Sequence, residues 1–136
     1  MEEGTPDSKV IATLDWKIPV RTASTGLSLR ATRYGEVTEP GLPASAAEVP
    51  TLRDLVLDPT WLIDLTLQAG FFHDKLGFAI GADNLFDQYP NRTPIARPNP
   101  AGGTVNLDST NAVAFSRYSP FGFNGRFLYA RATYNW

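Results

Sequence analysis

Apolar and polar residues alternate with a period of two along five separate stretches of the chain. From Lys9 to Lys17, Val10, Ala12, Leu14 and Trp16 fall on one side, and Lys9, Thr13, Asp15 and Lys17 on the other. From Ser24 to Tyr34, Leu27, Leu29 and Ala31 oppose Ser28, Arg30, Thr32 and Tyr34. The pattern is clearest from Thr60 to Ala69, where Trp61, Ile63, Leu65, Leu67 and Ala69 alternate with Asp64, Thr66 and Gln68. From Lys75 to Asn84, Leu76, Phe78, Ile80 and Ala82 face away from Gly77, Ala79, Gly81 and Asp83. The last stretch, Arg126 to Trp136, sets Leu128, Ala130, Ala132, Tyr134 and Trp136 against Phe127, Tyr129, Arg131, Thr133 and Asn135. Successive side chains of a strand point to opposite faces, so the pattern predicts five strands with one apolar and one polar side each. Helical spacing is confined to a weak turn around Ala44 to Glu48, because 11 Gly and 11 Pro interrupt the chain.

The connections between these strands differ in size, and the two sizes alternate. Residues 18–22, with Pro19, and 70–74 are short; 35–59 and 85–125 are long. In an antiparallel meander this order gives all tight turns to one end of the sheet and all long loops to the other. A water-soluble meander has no general reason to segregate its loops, whereas an outer-membrane barrel has short periplasmic turns and long extracellular loops. Segments of about nine to eleven tilted residues also match the thickness of a bilayer's hydrocarbon core. The fold class expected is therefore all-β, an antiparallel meander of about five transmembrane strands. With the tight turns periplasmic, strands 9–17, 60–69 and 126–136 descend, and the last of them ends in the periplasm. The loop 85–125, with Pro90, Pro94, Pro98 and Pro100, is expected to resist both helix and strand.

Composition narrows the field further. A chain of 136 residues, 43% apolar and 12% aromatic, makes one domain at most and is too apolar for whole-chain disorder. No apolar run approaches the 18 or so residues of a membrane helix. A net charge of −2 argues against nucleic acid as a partner. The absence of Cys removes disulfides, zinc–thiolate sites and thiol nucleophiles. The acidic Met-Glu-Glu-Gly-Thr-Pro-Asp start is no signal peptide, so work outside the cytoplasm would require a leader beyond this sequence.

Catalytic chemistry finds little to build on. His73 is the only imidazole and falls in a short turn beside Asp74, where decoration of the turn explains it better than a triad. There is no G-x-S-x-G element, phosphate-cradling Gly loop or metal-ligand spacing, so neither an enzyme nor a cofactor or metal protein is expected. Asn91-Arg92-Thr93 matches the N-glycosylation pattern but carries no weight.

Three stretches resemble TonB-dependent outer-membrane receptors. Gly81-Ala82-Asp83-Asn84-Leu85-Phe86-Asp87-Gln88-Tyr89-Pro90 is similar to the element, with NLFD at its centre, that closes the penultimate strand of that family. Ser119-Pro120-Phe121-Gly122-Phe123-Asn124-Gly125-Arg126-Phe127 resembles the lead-in to its last strand. Tyr129 to Trp136 resembles the terminal strand, with Trp136 where the family usually has Phe. The resemblance implies the carboxy-terminal five strands of a barrel of roughly 22 strands in the bacterial outer membrane. The signal peptide, plug and TonB box of the family are not in this sequence. The whole receptor would import a scarce nutrient such as a ferric siderophore, cobalamin or a glycan; the piece alone would transport nothing. Outer-membrane lipid, the barrel-assembly machinery, the remainder of the receptor and, through it, TonB are the implied partners.

Residue roles follow from the same likeness. Leu128, Ala130, Ala132, Tyr134 and Trp136 would be the signal read by the assembly machinery. Trp16, Tyr134 and Trp136 would sit at the periplasmic interface and Trp61 at the outer one, where amphipathic rings are favoured. Within the family motif, Asn84 and Asp87 read as turn formers that end a strand rather than as ligand contacts, alongside Leu85 and Phe86. Gly122 and Gly125 read as servants of backbone geometry. Arg30, Asp64, Gln68 and Arg131 would line the lumen. Loop 35–59 sets Glu36, Glu39, Glu48, Asp54 and Asp58 against Arg53, a balance of −4. Loop 85–125 sets Arg92, Arg97 and Arg117 against Asp87 and Asp108, a balance of +1. Arg92, Arg97, Arg117 and Tyr118 are therefore the candidate contacts for an anionic or aromatic ligand, against the plainer reading of a solvated loop.

The rival reading is a small soluble β-protein that binds a ligand on a curved sheet with its apolar faces packed as a core; an inactive gene remnant is a third. Under the membrane reading the isolated piece self-associates, because five strands leave two open edges.

Overall fold

The computed structural model describes residues 5–41, 52–94, 96–106 and 114–136. The turn expected at Ala44 to Glu48, and Asp108, lie outside them. Among the described residues the chain is all β, with no helix. Its strands are β1 (Lys9–Val20), β2 (Ala23–Tyr34), β3 (Val37–Glu39), β4 (Leu55–Leu57), β5 (Thr60–Phe71), β6 (Leu76–Asp83), β7 (Ala96–Pro98), β8 (Thr104–Asn106) and β9 (Phe127–Tyr134). The five long ones form one antiparallel sheet in the order β1-β2-β5-β6-β9, which is a meander. Their ends fall within three residues of those expected from the alternation. The largest extension carries β1 through Pro19 to Val20. Proline lacks a ladder donor, and β1 tolerates it because it is an edge strand.

Register keeps like with like. Leu65, Leu67, Ala69 and Phe71 of β5 stand opposite Ala82, Ile80, Phe78 and Leu76 of β6. The same β6 residues stand opposite Leu128, Ala130, Ala132 and Tyr134 of β9. A slip of one residue would send every one of these side chains to the other face. On that other face Thr66, Gly81 and Tyr129 form a row across three strands. Glycine in the middle of the row leaves room for the Tyr129 ring, which reaches over it to share a 2.7 Å hydrogen bond with Thr66. A Cβ at Gly81 would stand 2.5 Å from Tyr129 Oη and 2.9 Å from the Leu65 carbonyl oxygen.

The apolar side of the sheet is not a core. Leu14 is 61% exposed, Ile80 56% and Leu128 66%, and the only buried apolar residues on the five long strands are the small Ala79 and Ala82. Burial lies instead in the connections. Val37, Leu55 and Leu57 of the β3–β4 hairpin form a cluster with Tyr118 packed against it, and Leu52 and Val105 are buried too. Each large side chain so buried contributes about 1.5–3 kcal/mol.

The chain divides into two compact units: 10–33, 61–88 and 124–136 hold the sheet, and the described parts of 1–9, 34–60 and 89–123 hold the connections. One expectation is corrected here. The long connections also contain strand, since β3 pairs with β4 and β7 with β8 despite the prolines. Pro98 ends its strand, and a turn with Gly102 and Gly103 at φ 104° and 79° reverses the chain. Asn99 starts that turn by accepting the Ala101 N–H on Oδ1, 2.9 Å away. Arg97 ties one connection to the other, donating to the carbonyls of Leu52 at 3.3 Å and Asp54 at 3.0 Å.

Gly81→Ala is expected to lower unfolding stability by about 1–3 kcal/mol, because the added methyl displaces the Tyr129 ring and the Thr66 hydrogen bond goes with it. In a Tyr129→Ala background the same substitution should cost markedly less. Urea unfolding from detergent micelles followed by circular dichroism checks the cycle; equal costs in both backgrounds would show that the ring does not need the glycine.

Candidate functional site

The tight turn between β5 and β6 places three non-glycine residues in the left-handed region: Phe72 at φ 55°, His73 at 58° and Asp74 at 62°. L residues pay for that conformation, so neighbours must hold it. Ser24 of β2 donates its hydroxyl to the Asp74 carboxylate. Asn135, just past β9, donates its backbone N–H to the Lys75 carbonyl at 2.8 Å and its side-chain amide to the Asp74 carbonyl at 3.3 Å. Gly70 gives the serine space, since a Cβ there would lie 2.6 Å from Ser24 Oγ. The exposed His73 is not the serine's partner.

Beside this turn a cleft of about 650 Å³ opens on the polar side of the sheet. All five long strands contribute to its wall. Lys17, Gln68, Arg131 and Thr133 supply its free polar groups beside the Ser24–Asp74 pair, while Gly26, Gly70 and Gly77 keep the floor low. Lys17 and Arg131 together outweigh the Asp74 carboxylate, so the cleft favours hydrogen-bond acceptors and anionic groups. The alternation set Gln68, Arg131 and Lys17 on the polar sides of their strands. It gave no hint of Ser24 and Asp74 as their neighbours, because sheet order alone joins them.

Asn84, Leu85, Phe86 and Asp87 form a turn that ends β6. Asn84 (φ 51°) and Asp87 (φ 57°) take the left-handed conformation that Asn and Asp tolerate best. Asn84 Oδ1 accepts the Gln88 N–H at 2.8 Å, and its Nδ2 donates to the Gln88 carbonyl at 2.7 Å. Its own N–H goes to Asp64 Oδ1 at 2.9 Å, which employs the one acid expected to line the lumen. Leu85 donates to the Ile63 carbonyl at 2.7 Å, and Phe86 is exposed. Asp87 Oδ1 accepts the N–H of Arg126 at 2.7 Å, directly before β9. One carboxylate therefore fixes the point where the long connection returns to the sheet.

The four residues singled out as ligand contacts divide in two. Arg97 is half-buried and committed to carbonyls of the neighbouring connection, and Tyr118 packs on the Val37 cluster. Arg92 and Arg117 are exposed, the latter with its guanidinium 5.1 Å from the Tyr118 ring centroid. In the terminal strand Leu128, Ala130, Ala132 and Tyr134 share the exposed apolar face, and Tyr134 lies 6.4 Å from the fully exposed Trp136, ring to ring.

Comparison with family models, with curated proteins and with solved structures returns no match.

Asn84→Ala is expected to destabilise the chain by about 2–3 kcal/mol, since it removes two hydrogen bonds and leaves a Cβ at positive φ. Asn84→Gly should cost about 1 kcal/mol less, because it relieves the conformation while losing the same bonds. Thermal unfolding of the pair gives the order, and a glycine variant as weak as the alanine one would refute the conformational part.

Proposed function

We propose that this chain is the carboxy-terminal wall of a TonB-dependent outer-membrane receptor, five strands of a larger barrel that surrounds the path of an imported nutrient. The observation that carries this reading is the sidedness of the sheet. Its polar side holds the cleft, while the other side presents Leu14, Trp16, Leu67, Ile80 and Leu128 uncovered. A soluble sheet of this size would bury such a side, and the rival reading of a packed ligand-binding module expects that. Acyl chains are the solvent that suits it, with hydrated groups on the lumen side.

Three further features support the reading. The meander alternates tight turns with long connections. Trp16, Tyr134 and Trp136 stand toward the tight-turn end and Trp61 toward the other, as interfacial rings do. The Asn84–Asp87 turn and the terminal alternation are the elements that resemble the receptor family. In this role Leu128, Ala130, Ala132, Tyr134 and Trp136 serve recognition by the assembly machinery, and the rest of the receptor supplies the plug, the contact to TonB and the strands that pair with β1 and β9. Five strands close no barrel, since the smallest need about eight, so the isolated chain transports nothing.

Far-UV circular dichroism with and without detergent micelles tests this. The membrane wall predicts β signal in micelles, and in plain buffer aggregates seen by light scattering, driven by the exposed face and the two open edges. A monodisperse monomer in buffer with an unchanged spectrum and a sharp thermal transition would overturn it in favour of the soluble module.

A further inference from the structure

We infer that Asn124-Gly125 is a site of spontaneous covalent modification, where the Asn124 side-chain amide leaves as ammonia and an isoaspartate is left that loosens the entry to β9. The pair is the single Asn-Gly step in the chain. Asn124 is exposed and lies outside any strand, shortly before β9 begins at Phe127. An asparagine amide resists this chemistry while hydrogen bonds hold it, and most of the other described asparagines are so held. Asn84 bonds twice to Gln88, Asn91 donates to Asp58, Asn99 accepts the Ala101 N–H and Asn135 donates to the Asp74 carbonyl. Asn106 precedes Leu107, whose own side chain crowds the nitrogen that would attack. By contrast, neither the Asn124 amide nor the Gly125 N–H makes a hydrogen bond to another described residue.

Backbone conformation leaves the reaction open. In a two-residue hairpin turn an Asn-Gly pair is fixed at positive φ in both residues. Here neither residue takes positive φ, and the pair is not locked in such a turn. Glycine also has no Cβ to shield its nitrogen. Hydroxide takes the Gly125 amide proton, and the nitrogen attacks Asn124 Cγ. The N–Cγ bond forms and the Cγ–Nδ2 bond breaks; ammonia departs with a proton from water, which regenerates hydroxide. Water then opens the cyclic imide. Addition at Cγ gives aspartate, and addition at the main-chain carbonyl gives isoaspartate, whose backbone runs on through Cβ and Cγ. Water is the only co-reactant, and nothing is oxidised or reduced.

Position gives the change its consequence. Two residues on, Arg126 donates its N–H to Asp87 Oδ1 at 2.7 Å, the bond that fixes where the chain returns to the sheet. An isoaspartate lengthens the backbone just ahead of that bond and adds a carboxylate beside it in sequence, so the Arg126 N–H is drawn off Asp87. The segment lies at the end of the sheet opposite the β5–β6 turn, where β9 pairs through Phe127 with Asp83. The inference does not depend on the membrane reading.

The test incubates the full chain in micelles at neutral and mildly alkaline pH and follows the tryptic peptide Tyr118–Arg126, in which Asn124 is the one asparagine. That peptide should exchange NH for O in its mass, at a rate that rises in step with hydroxide and lies within severalfold of that of the same peptide free in solution. The product should accept a methyl group from an isoaspartyl methyltransferase. Gly125→Ala should slow the change severalfold, and Asn124→Gln should abolish it. The aged chain should then unfold at lower urea than an equally aged Asn124→Gln chain, with fresh Asn124→Asp, which has the charge without the longer backbone, between them. Asn124 preserved in the folded chain while the free peptide converts would overturn the site. An aged chain as stable as the aged Asn124→Gln variant would overturn its effect on β9.

Discussion

A strand sends its side chains alternately to two sides, and in this protein the two sides carry different chemistry. Register is what converts that local property into a global one. Because β5, β6 and β9 align apolar with apolar, the alternation of each strand adds to a continuous greasy surface on one side and a hydrated surface on the other. Everything else, from the size of the side chains on each face to the position of the glycines, adapts to this division.

The polar side shows how a sheet gains rigidity without a core. Tyr129 lies across Gly81 to Thr66, spanning three strands with one side chain. Ser24, Asp74 and Asn135 join β2, the β5–β6 turn and the chain after β9 at one end. Asp64, Asn84 and Asp87 join β5, β6 and the start of β9 at the other. Each link satisfies a backbone or hydroxyl group that a left-handed turn or a strand end would leave unpaired. The Ser24–Asp74 link lines the cleft, so a bond that holds the fold also shapes the cleft.

The long connections solve a different problem. They cannot rely on the sheet's ladder, and they build a small core of their own from Val37, Leu55, Leu57 and Tyr118. Arginine has a structural part in this: Arg97 satisfies two carbonyls of the opposite connection, which takes it out of the pool of free cations that charge counting suggests.

The five long strands, their faces and the short turns were legible in the sequence, because a period of two is a strictly local consequence of strand geometry and each strand is long enough to show it. The turn chemistry of Asn84 and Asp87 was legible for the same reason, since tolerance of positive φ belongs to the residue itself. The hairpins β3–β4 and β7–β8 were not, because three-residue strands show no periodicity and prolines mask them. Nor were the partners of Asp74, Tyr129 and Arg97, which lie 50, 63 and up to 45 residues away. Sequence determined which side of each strand is apolar; tertiary structure decided where the cleft lies and which arginines bond to carbonyls, because long-range pairing depends on neighbours that only sheet order and the folded connections bring together.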